Sequence, residues 1–249
     1  MPNASDALVE FEGYVRVAAA TPSIRTAGCM YNAERILALM ERAAKEEVQL
    51  LCLPELCVTG YTCGDLFLQD TLIRGAMEAL AFLVEKSADF PLLVVAGTPF
   101  AHGGKLYNTA AVFGGGKLLG LVPKTHLPNY SEFYELRHFS PAPRETLAAR
   151  FAGRDVPLGA RLLFQCEPGE PDKNGPGFRV AVEICEDLWV PVPPSSFHAM
   201  AGASIIANIS ASDELVGKPA YRRALAAGQS ARLVCGYVYA DAGRGESST

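Results

Sequence analysis

The chain has 249 residues, 49% of them of hydrophobic type, which is enough to bury a substantial core in one or two domains. Its 22 basic and 27 acidic residues give a formal charge of -5, which excludes a basic surface for nucleic acid or an anionic membrane and favours a small neutral or zwitterionic substrate. No basic segment followed by an apolar one opens the chain and no apolar run reaches membrane-spanning length, so we expect a cytoplasmic protein.

The first half of the chain alternates strand and helix patterns. A β-rich run at residues 14–20 precedes a helix with apolar residues at helical spacing, for which Asn32 can serve as N-cap. The run QLLCLP at 49–54 is nearly all apolar and ends in proline, as expected for a strand covered on both faces. A second helix is predicted within 71–86, and a further strand over 91–99.

The middle of the chain combines a hairpin pattern with two loop-like segments. Two apolar runs, 106–114 and 117–125, flank a pair of glycines and predict an antiparallel hairpin. Residues 140–160 are rich in Pro, Ala, Gly and Arg, and residues 167–177 carry a strong loop signal. Neither is predicted to be a domain linker, because strand patterns resume directly after each.

The last third returns to alternating strands and helices. FRVAVEI is a predicted strand ending before Cys185, and a Pro-rich bend, a short helix and the strand ASIIANIS follow. Pro219 can begin a helix that runs to about Arg232, and LVCGYVYA is the last predicted strand. The pattern predicts an α/β layered domain with a mixed sheet.

The cysteines indicate reduced thiols, because their number is odd and no CxxC pair occurs. Cys52, Cys57 and Cys63 are close in sequence, but their spacing fits no zinc motif and no histidine joins them. We therefore expect no metal site. The seven cysteines are at positions 29, 52, 57, 63, 166, 185 and 235.

Three chemically useful residues, Glu55, Lys124 and Cys185, each follow an apolar strand pattern directly. Open α/β sheets concentrate active groups at the carboxyl ends of strands. Taken singly, such a glutamate or lysine is usually a solvated loop residue, and such a cysteine is usually a small core residue. Together they supply what thiolate chemistry requires, namely a nucleophile, a base and a cation that stabilises negative charge.

The residues around these three positions resemble known sequence motifs. Three segments are similar to the ordered Glu, Lys and Cys blocks of the nitrilase superfamily: LPELCVTGYTCGDLF (53–67), PKTHLPNYSEFYELRHF (123–139) and EICEDLWVPVPPSS (183–196). Two more resemble the glutaminase domain of bacterial glutamine-dependent NAD synthetases: NISASDELVGKPAYRRALAAGQSAR (208–232) and YVYADAGRGESST (237–249). The resemblance spans nearly the whole chain.

The resemblance implies a nitrilase-type α-β-β-α sandwich with mixed sheets, in which residues 1–249 form one carbon–nitrogen hydrolase domain. The family's domain normally continues past GESST with further strands, so we expect a truncated domain. Family members also carry an ATP-dependent synthetase domain with an SGGxDS-type phosphate loop, and this sequence has no such motif. The resemblance thus implies glutamine hydrolysis without a cofactor, with ATP and Mg²⁺ needed only by the absent domain, and a homo-oligomer.

The resemblance also assigns roles to individual residues. Glu55 is the general base, Lys124 the oxyanion-stabilising cation and Cys185 the carrier of a γ-glutamyl thioester. Glu132 occupies the position of a second glutamate that the superfamily often has near these three, although an exposed loop carboxylate is an equal alternative. The residues that resemble the family's glutamine-binding positions are Tyr61, Tyr130, Glu186 and Ser212.

Other functions stay open at the level of sequence. A free-standing hydrolase acting on another amide, nitrile or carbamoyl compound would use the same three residues. A catalytically silent interaction module need not keep thiol, base and cation together. A Cys–His hydrolase is a further alternative, although no sequence feature joins Cys185 to one of the four histidines, at positions 102, 126, 138 and 198.

Overall fold

A computed structural model describes residues 14–166 and 177–246. These residues form four α-helices: α1 (Cys29–Lys45), α2 (Asp70–Lys86), α3 (Pro194–Met200) and α4 (Lys218–Leu233). They also form eleven strands: β1 (Val17–Ala19), β2 (Leu50–Cys52), β3 (Leu93–His102), β4 (Lys105–Gly114), β5 (Lys117–Pro123), β6 (Leu147–Phe151), β7 (Arg154–Leu158), β8 (Phe164–Cys166), β9 (Phe178–Ile184), β10 (Ile205–Ser210) and β11 (Gly236–Asp241). None of the described helices has the length and apolar character needed to cross a bilayer.

The strands form two mixed sheets. The larger has the order β1-β2-β3-β4-β5-β7-β6, with β1, β2 and β3 parallel and β3, β4 and β5 successively antiparallel. The smaller has the order β11-β10-β9-β8, in which β9, β10 and β11 are parallel. Because β2 and β5 run in the same direction, their carboxyl ends lie on the same edge of the large sheet.

The alternation of side chains along the strands supplies three apolar clusters, one between the sheets and one on the outer face of each. Leu50, Cys52 and Val95 of the large sheet pack against Val182 and Ile209 of the small one, so the inner faces of both sheets are covered. Helices α1 and α2 cover the outer face of the large sheet, and α3 and α4 lie against the small sheet. The result is the four-layer α-β-β-α arrangement expected from the sequence.

The structure corrects two local predictions. Asn32 does not cap α1 but lies inside it, where its buried amide binds the backbone of Arg25 and the carbonyl of Val58. The segment 140–160 contains the hairpin β6–β7, whose buried Ala149, Phe151, Val156 and Leu158 alternate with exposed residues. Each of the two strands has only five residues and includes charged residues or a proline, so the composition of the segment is similar to that of a loop. Most of the predicted loop 167–177 lies outside the described residues.

Candidate active site

Glu55, Lys124 and Cys185 lie where the carboxyl ends of strands from both sheets meet. Glu55 follows β2, Lys124 follows β5, and Cys185 follows β9 in the opposite sheet. The sheets are joined here by a hydrogen bond from the backbone N–H of Ala211, just after β10, to Glu55 Oε2 at 2.9 Å. The fold thus brings together groups that are separated by up to 130 positions in the sequence.

Glu55 is completely buried in a turn that packs directly on β3. A β-carbon on Gly97 of β3 would lie 2.0 Å from the backbone nitrogen of Leu56, so only glycine permits this approach. One carboxylate oxygen of Glu55 accepts hydrogen bonds from Lys124 Nζ at 2.7 Å and Asn108 Nδ2 at 2.6 Å. The backbone N–H of Ala211 binds the other oxygen, so both oxygens of this buried carboxylate accept hydrogen bonds from fixed donors.

Lys124 is buried between two carboxylates. Its Nζ lies 2.7 Å from Glu55 Oε1 and 2.6 Å from Glu135 Oε1. Asn108 links the same two carboxylates from the other side, and the hydroxyl of Tyr61 donates to Glu135 Oε1 at 2.8 Å. Lys124 is thereby held in one position and keeps its charge without contact with water.

The glutamate that contacts Lys124 is Glu135 and not Glu132. Glu135 is buried in a short 3₁₀ turn, whereas Glu132 is exposed and lies beside Asp213. Both are in the segment NYSEFYE, and the exposure of Glu132 matches the alternative of a loop carboxylate. The two glutamates differ in burial, and neither the spacing nor the composition of this segment indicates which of them is buried.

Electrostatics set the protonation of the site. Burial, opposed by the charge of Lys124, raises the pKa of Glu55 to about 7. Burial alone would lower the pKa of Lys124, but the charges of Glu135 and Glu55 outweigh it and hold that pKa well above its usual value. Burial and the charge of Glu55 raise the pKa of Cys185, and Lys124 lowers it by less. Cys185 is therefore a neutral thiol at neutral pH.

Cys185 stands at a sharp turn directly after β9. Its φ of 44° lies in the left-handed region, which costs energy for any residue with a β-carbon and is common at functional positions. Its sulfur is hydrogen-bonded by the side chain of Ser210, which in turn accepts a hydrogen bond from Tyr239 at 2.7 Å. The turn aims the sulfur at the end of β10, where Ala211 binds Glu55.

Asp187 joins the Lys124 segment to the Cys185 turn. Its buried carboxylate accepts hydrogen bonds from the backbone N–H groups of His126 at 2.8 Å, Thr125 at 3.2 Å and Ile184 at 3.0 Å. Burial raises the pKa of Asp187 to about 7, and these hydrogen bonds oppose that shift. Asp187 was not predicted from the sequence, although it lies only two residues after Cys185.

The four residues expected to bind substrate surround the same region. Tyr130 is exposed, and its hydroxyl donates to the carboxylate of Glu186, next to Cys185, at 3.0–3.1 Å. Tyr61 is half-buried and reaches Glu135, as described above. Ser212 follows Ala211, and its backbone N–H donates to Asp241 at 2.8 Å. Two of the four, Tyr130 and Glu186, are in direct contact.

Several site residues had no counterpart in the sequence analysis. Asn108 and Ser210 are polar residues within apolar strand runs, which is a detectable signal, since a polar group in a buried strand needs a partner. Of the histidines, His138 contacts Asp65 and His198 contacts the carbonyl of Ala160, and no hydrogen bond joins any of the four to Cys185 in the described residues. Nor do three or more His, Cys, Asp or Glu side chains come together there as a metal site.

The carbon-nitrogen hydrolase family model matches residues 16–240, and the chain belongs to this family. A glutamine-dependent NAD(+) synthetase of Mycobacterium tuberculosis is 43% identical over 237 residues, which cover 95% of this chain and 34% of that protein. The crystal structure of a glutamine-dependent NAD(+) synthetase from Cytophaga hutchinsonii superimposes with a TM-score of 0.80 at 32% identity, covering 92% of this chain and 36% of that one.

A more distant structure shows how widely the fold is shared. An amidase from Nesterenkonia sp. has a TM-score of 0.72 at 18% identity, covering 96% of this chain and 80% of that one. The chain thus spans about a third of the length of the curated relatives it matches and most of the length of this amidase. The comparisons confirm the predicted family and the predicted fold.

Proposed function

We propose that this chain is the glutamine amidohydrolase domain of a glutamine-dependent NAD synthetase, and that Cys185 attacks the carboxamide of L-glutamine. The observation that carries the proposal is the buried cluster of Glu55, Lys124 and Glu135 beside a cysteine held at a strained turn. The relatives named as glutamine-dependent NAD synthetases support the choice of substrate. The ammonia would amidate deamido-NAD in an ATP-dependent domain or subunit.

The first step is proton transfer coupled to attack. Cys185 is a neutral thiol at pH 7, so its proton has to leave as the sulfur approaches the carbonyl carbon. Glu55, with a pKa of about 7, is a suitable acceptor because about half of it is ionised at neutral pH. A new carbon–sulfur bond forms, and the carbonyl oxygen becomes an oxyanion.

The second step releases ammonia. The ammonium of Lys124 stabilises the oxyanion, together with a backbone N–H at the Cys185 turn. Glu55 returns its proton to the amide nitrogen, the carbon–nitrogen bond breaks, and ammonia leaves a γ-glutamyl thioester on Cys185. Glu55 then takes a proton from water as the water attacks the thioester, the carbon–sulfur bond breaks, and Glu55 passes the proton to the departing Cys185 sulfur, which yields glutamate and restores the thiol.

Recognition of glutamine needs partners for its α-ammonium and α-carboxylate. Glu186, next to Cys185, and Ser212, at the end of β10, suit the ammonium group. Tyr130 orients Glu186 and supplies a wall, and the ring of Tyr61 supplies another. Its hydroxyl is already used by Glu135, so Tyr61 contributes shape more than a free hydrogen-bond donor.

Tests on two classes of amide separate this proposal from the free-standing hydrolase. Glu186→Gln should lower kcat/KM for L-glutamine by a factor corresponding to about 1.5–3 kcal/mol, the usual value of a charged hydrogen bond. Hydrolysis of butyramide, which lacks both α-groups, should change far less. Glu85→Gln, on the exposed side of α2, is the matched control and should leave both rates unchanged.

The outcome decides between substrates. Equal losses on glutamine and butyramide would mean that Glu186 acts on Cys185 and not on the α-ammonium. A wild-type chain that hydrolyses butyramide faster than glutamine would favour the alternative amidase function. The shared fold of the Nesterenkonia amidase does not distinguish the two functions, because at 18% identity it reflects the fold alone.

We further propose that ATP and Mg²⁺ are needed only by the synthetase domain, that glutamine hydrolysis itself uses no cofactor, and that the protein acts in the cytoplasm as a homo-oligomer. The relatives, about three times the length of this chain, are consistent with a further domain. Ammonia is a small nucleophile that would otherwise be protonated and lost to solvent, so contact between the two domains would serve the reaction.

A further inference from the structure

Glu246, five residues beyond the end of β11, binds a distant part of the chain. Its carboxylate accepts hydrogen bonds from the backbone N–H of Tyr61 at 2.7 Å and of Thr62 at 3.2 Å. The hydroxyl of Thr62 donates to the same carboxylate at 3.0 Å. Glu246 is thus held by three donors that lie about 185 positions away in the sequence.

These contacts satisfy a helix terminus that has no cap of its own. The 3₁₀ segment Tyr61–Leu68 begins after Gly60, which has a φ of 90° and no side chain to receive the first N–H groups. Thr62 and Gly64 have non-helical φ and ψ, so the segment begins with a short, kinked turn whose first N–H groups need an acceptor from elsewhere in the chain. Glu246 supplies the acceptor that the local sequence lacks.

The segment that carries Glu246 is itself fixed against the site. Ala242 N–H binds the carbonyl of Ser210, the residue whose side chain contacts Cys185. Arg244 binds Ile24 through its carbonyl, and a β-carbon at Gly245 would lie 2.0 Å from the Ile24 carbonyl oxygen, so the chain passes too closely for any other residue. Glu246 is therefore presented to Tyr61 by a well-defined backbone.

From Tyr61 the contacts continue to the reacting groups. We propose that Glu246 is a positioning residue for amide hydrolysis: it fixes the Tyr61 backbone and so keeps the Tyr61 hydroxyl on Glu135, which holds Lys124. The inference rests on the proposed function. It adds that the segment after β11, and anything that displaces that segment, sets the rate of hydrolysis.

A double-mutant cycle tests this route. Glu246→Ala and Tyr61→Phe should each lower kcat on glutamine, by about tenfold, because small displacements of reacting groups cost up to about 10²-fold. The double variant should be no slower than the slower single variant, since both changes break one chain of contacts. Glu246→Gln should fall between wild type and Glu246→Ala, because its amide keeps one acceptor. Glu145→Gln, an exposed glutamate, is the control and should match wild type.

Hydrogen exchange supplies a readout that does not need turnover. Peptides covering residues 60–68 should exchange faster in Glu246→Ala than in wild type and in Glu145→Gln. Multiplicative losses of kcat in the double variant, or unchanged exchange over 60–68, would overturn the inference. An active chain whose kcat is insensitive to Glu246→Ala would overturn it while leaving the proposed function intact. Faster exchange in a chain that never hydrolyses glutamine would instead overturn the function.

Discussion

Among single residues, Glu55 has a protonation state that is set by its burial and its hydrogen-bond donors. In the proposed mechanism, a carboxylate with a pKa of about 7 takes the proton of the thiol as the sulfur attacks and returns it to the leaving amine. Lys124 and Asn108 favour the ionised form of Glu55 through hydrogen bonds, whereas burial favours the neutral form. The balance keeps the pKa of Glu55 near neutral pH, as the proposed exchange of a proton with the thiol and the leaving amine requires.

This balance predicts a pH profile. Glu55 has to be ionised to accept the proton, so kcat/KM should fall about tenfold per pH unit below pH 7 and level off above it. Asn108→Leu removes a donor to the ionised form, which raises the pKa of Glu55 further and moves the acid limb to higher pH. The substitution removes hydrogen-bond donors and no accepted hydrogen bond, since the Oδ1 atom of Asn108 has no partner among the described residues.

The matched control is a second buried asparagine. Asn208 also has an unpartnered Oδ1 and donates to the Tyr237 hydroxyl, away from Glu55. Asn208→Leu should lower the thermal midpoint but leave the acid limb in place. The measurement is kcat/KM for glutamine across pH 5 to 9, and an acid limb shared by wild type and Asn108→Leu would contradict the assignment of Glu55 as base.

At the scale of elements, the site depends on turns that follow the strands. Glu55, Lys124 and Cys185 each belong to a different turn, and Asp187 ties two of these turns together through backbone N–H groups. A carboxylate suits this position because it offers acceptors only, and three donors converge on it. Strand patterns predict where such turns begin, but they do not predict which side chain will connect one turn to another.

Asp187→Asn should therefore separate the turns. Its amide nitrogen would face a backbone N–H, which leaves at least one buried donor unpaired at a cost of about 1–3 kcal/mol. We expect a lower thermal midpoint and a kcat reduced at least tenfold, with a smaller change in KM. Asp155→Asn is the control, because Asp155 makes only an exposed pair with Arg150 and should contribute little. Unchanged kcat in Asp187→Asn would contradict this role.

The elements show where sequence reasoning succeeds. The bounds of helices α1 and α2 and of strands β3 to β5 were predicted within a few residues. Each of these elements has a long apolar pattern that forms one continuous buried face. The hairpin β6–β7 was missed, since its strands are short and lie at the sheet edge. Glu135 was missed in favour of Glu132 because burial inside a short turn depends on contacts with β4 and β5, which local sequence does not encode.

In the whole molecule, the two sheets pack face to face, and the carboxyl ends of strands from both sheets meet at Glu55, Lys124 and Cys185. Ordering of the sequence blocks predicted which three residues come together, but their exact contacts depend on how the sheets stack. The bond from Ala211 to Glu55 crosses between sheets, and no local pattern predicts it. Long-range packing therefore completes a site whose parts the sequence identifies.

The isolated chain should hydrolyse glutamine at most slowly and should bind neither ATP nor deamido-NAD. The glycine-rich cluster GGGK at 114–117 forms the tight turn between β4 and β5, whereas a phosphate-binding loop opens a helix. Calorimetric titration of the purified chain with ATP and Mg²⁺ should show no saturable binding. Tight binding would place part of the synthetase chemistry in this chain.

The identity of the nucleophile is the central claim, and covalent trapping tests it most directly. The purified chain is treated with an electrophilic glutamine analogue, and the site of labelling is mapped by peptide mass spectrometry. Cys185 alone among the seven cysteines should carry the label, and Cys185→Ala should remain folded, unlabelled and unable to release ammonia from glutamine. Label found mainly on Cys57 or Cys235, or ammonia release that survives in Cys185→Ala, would contradict the account.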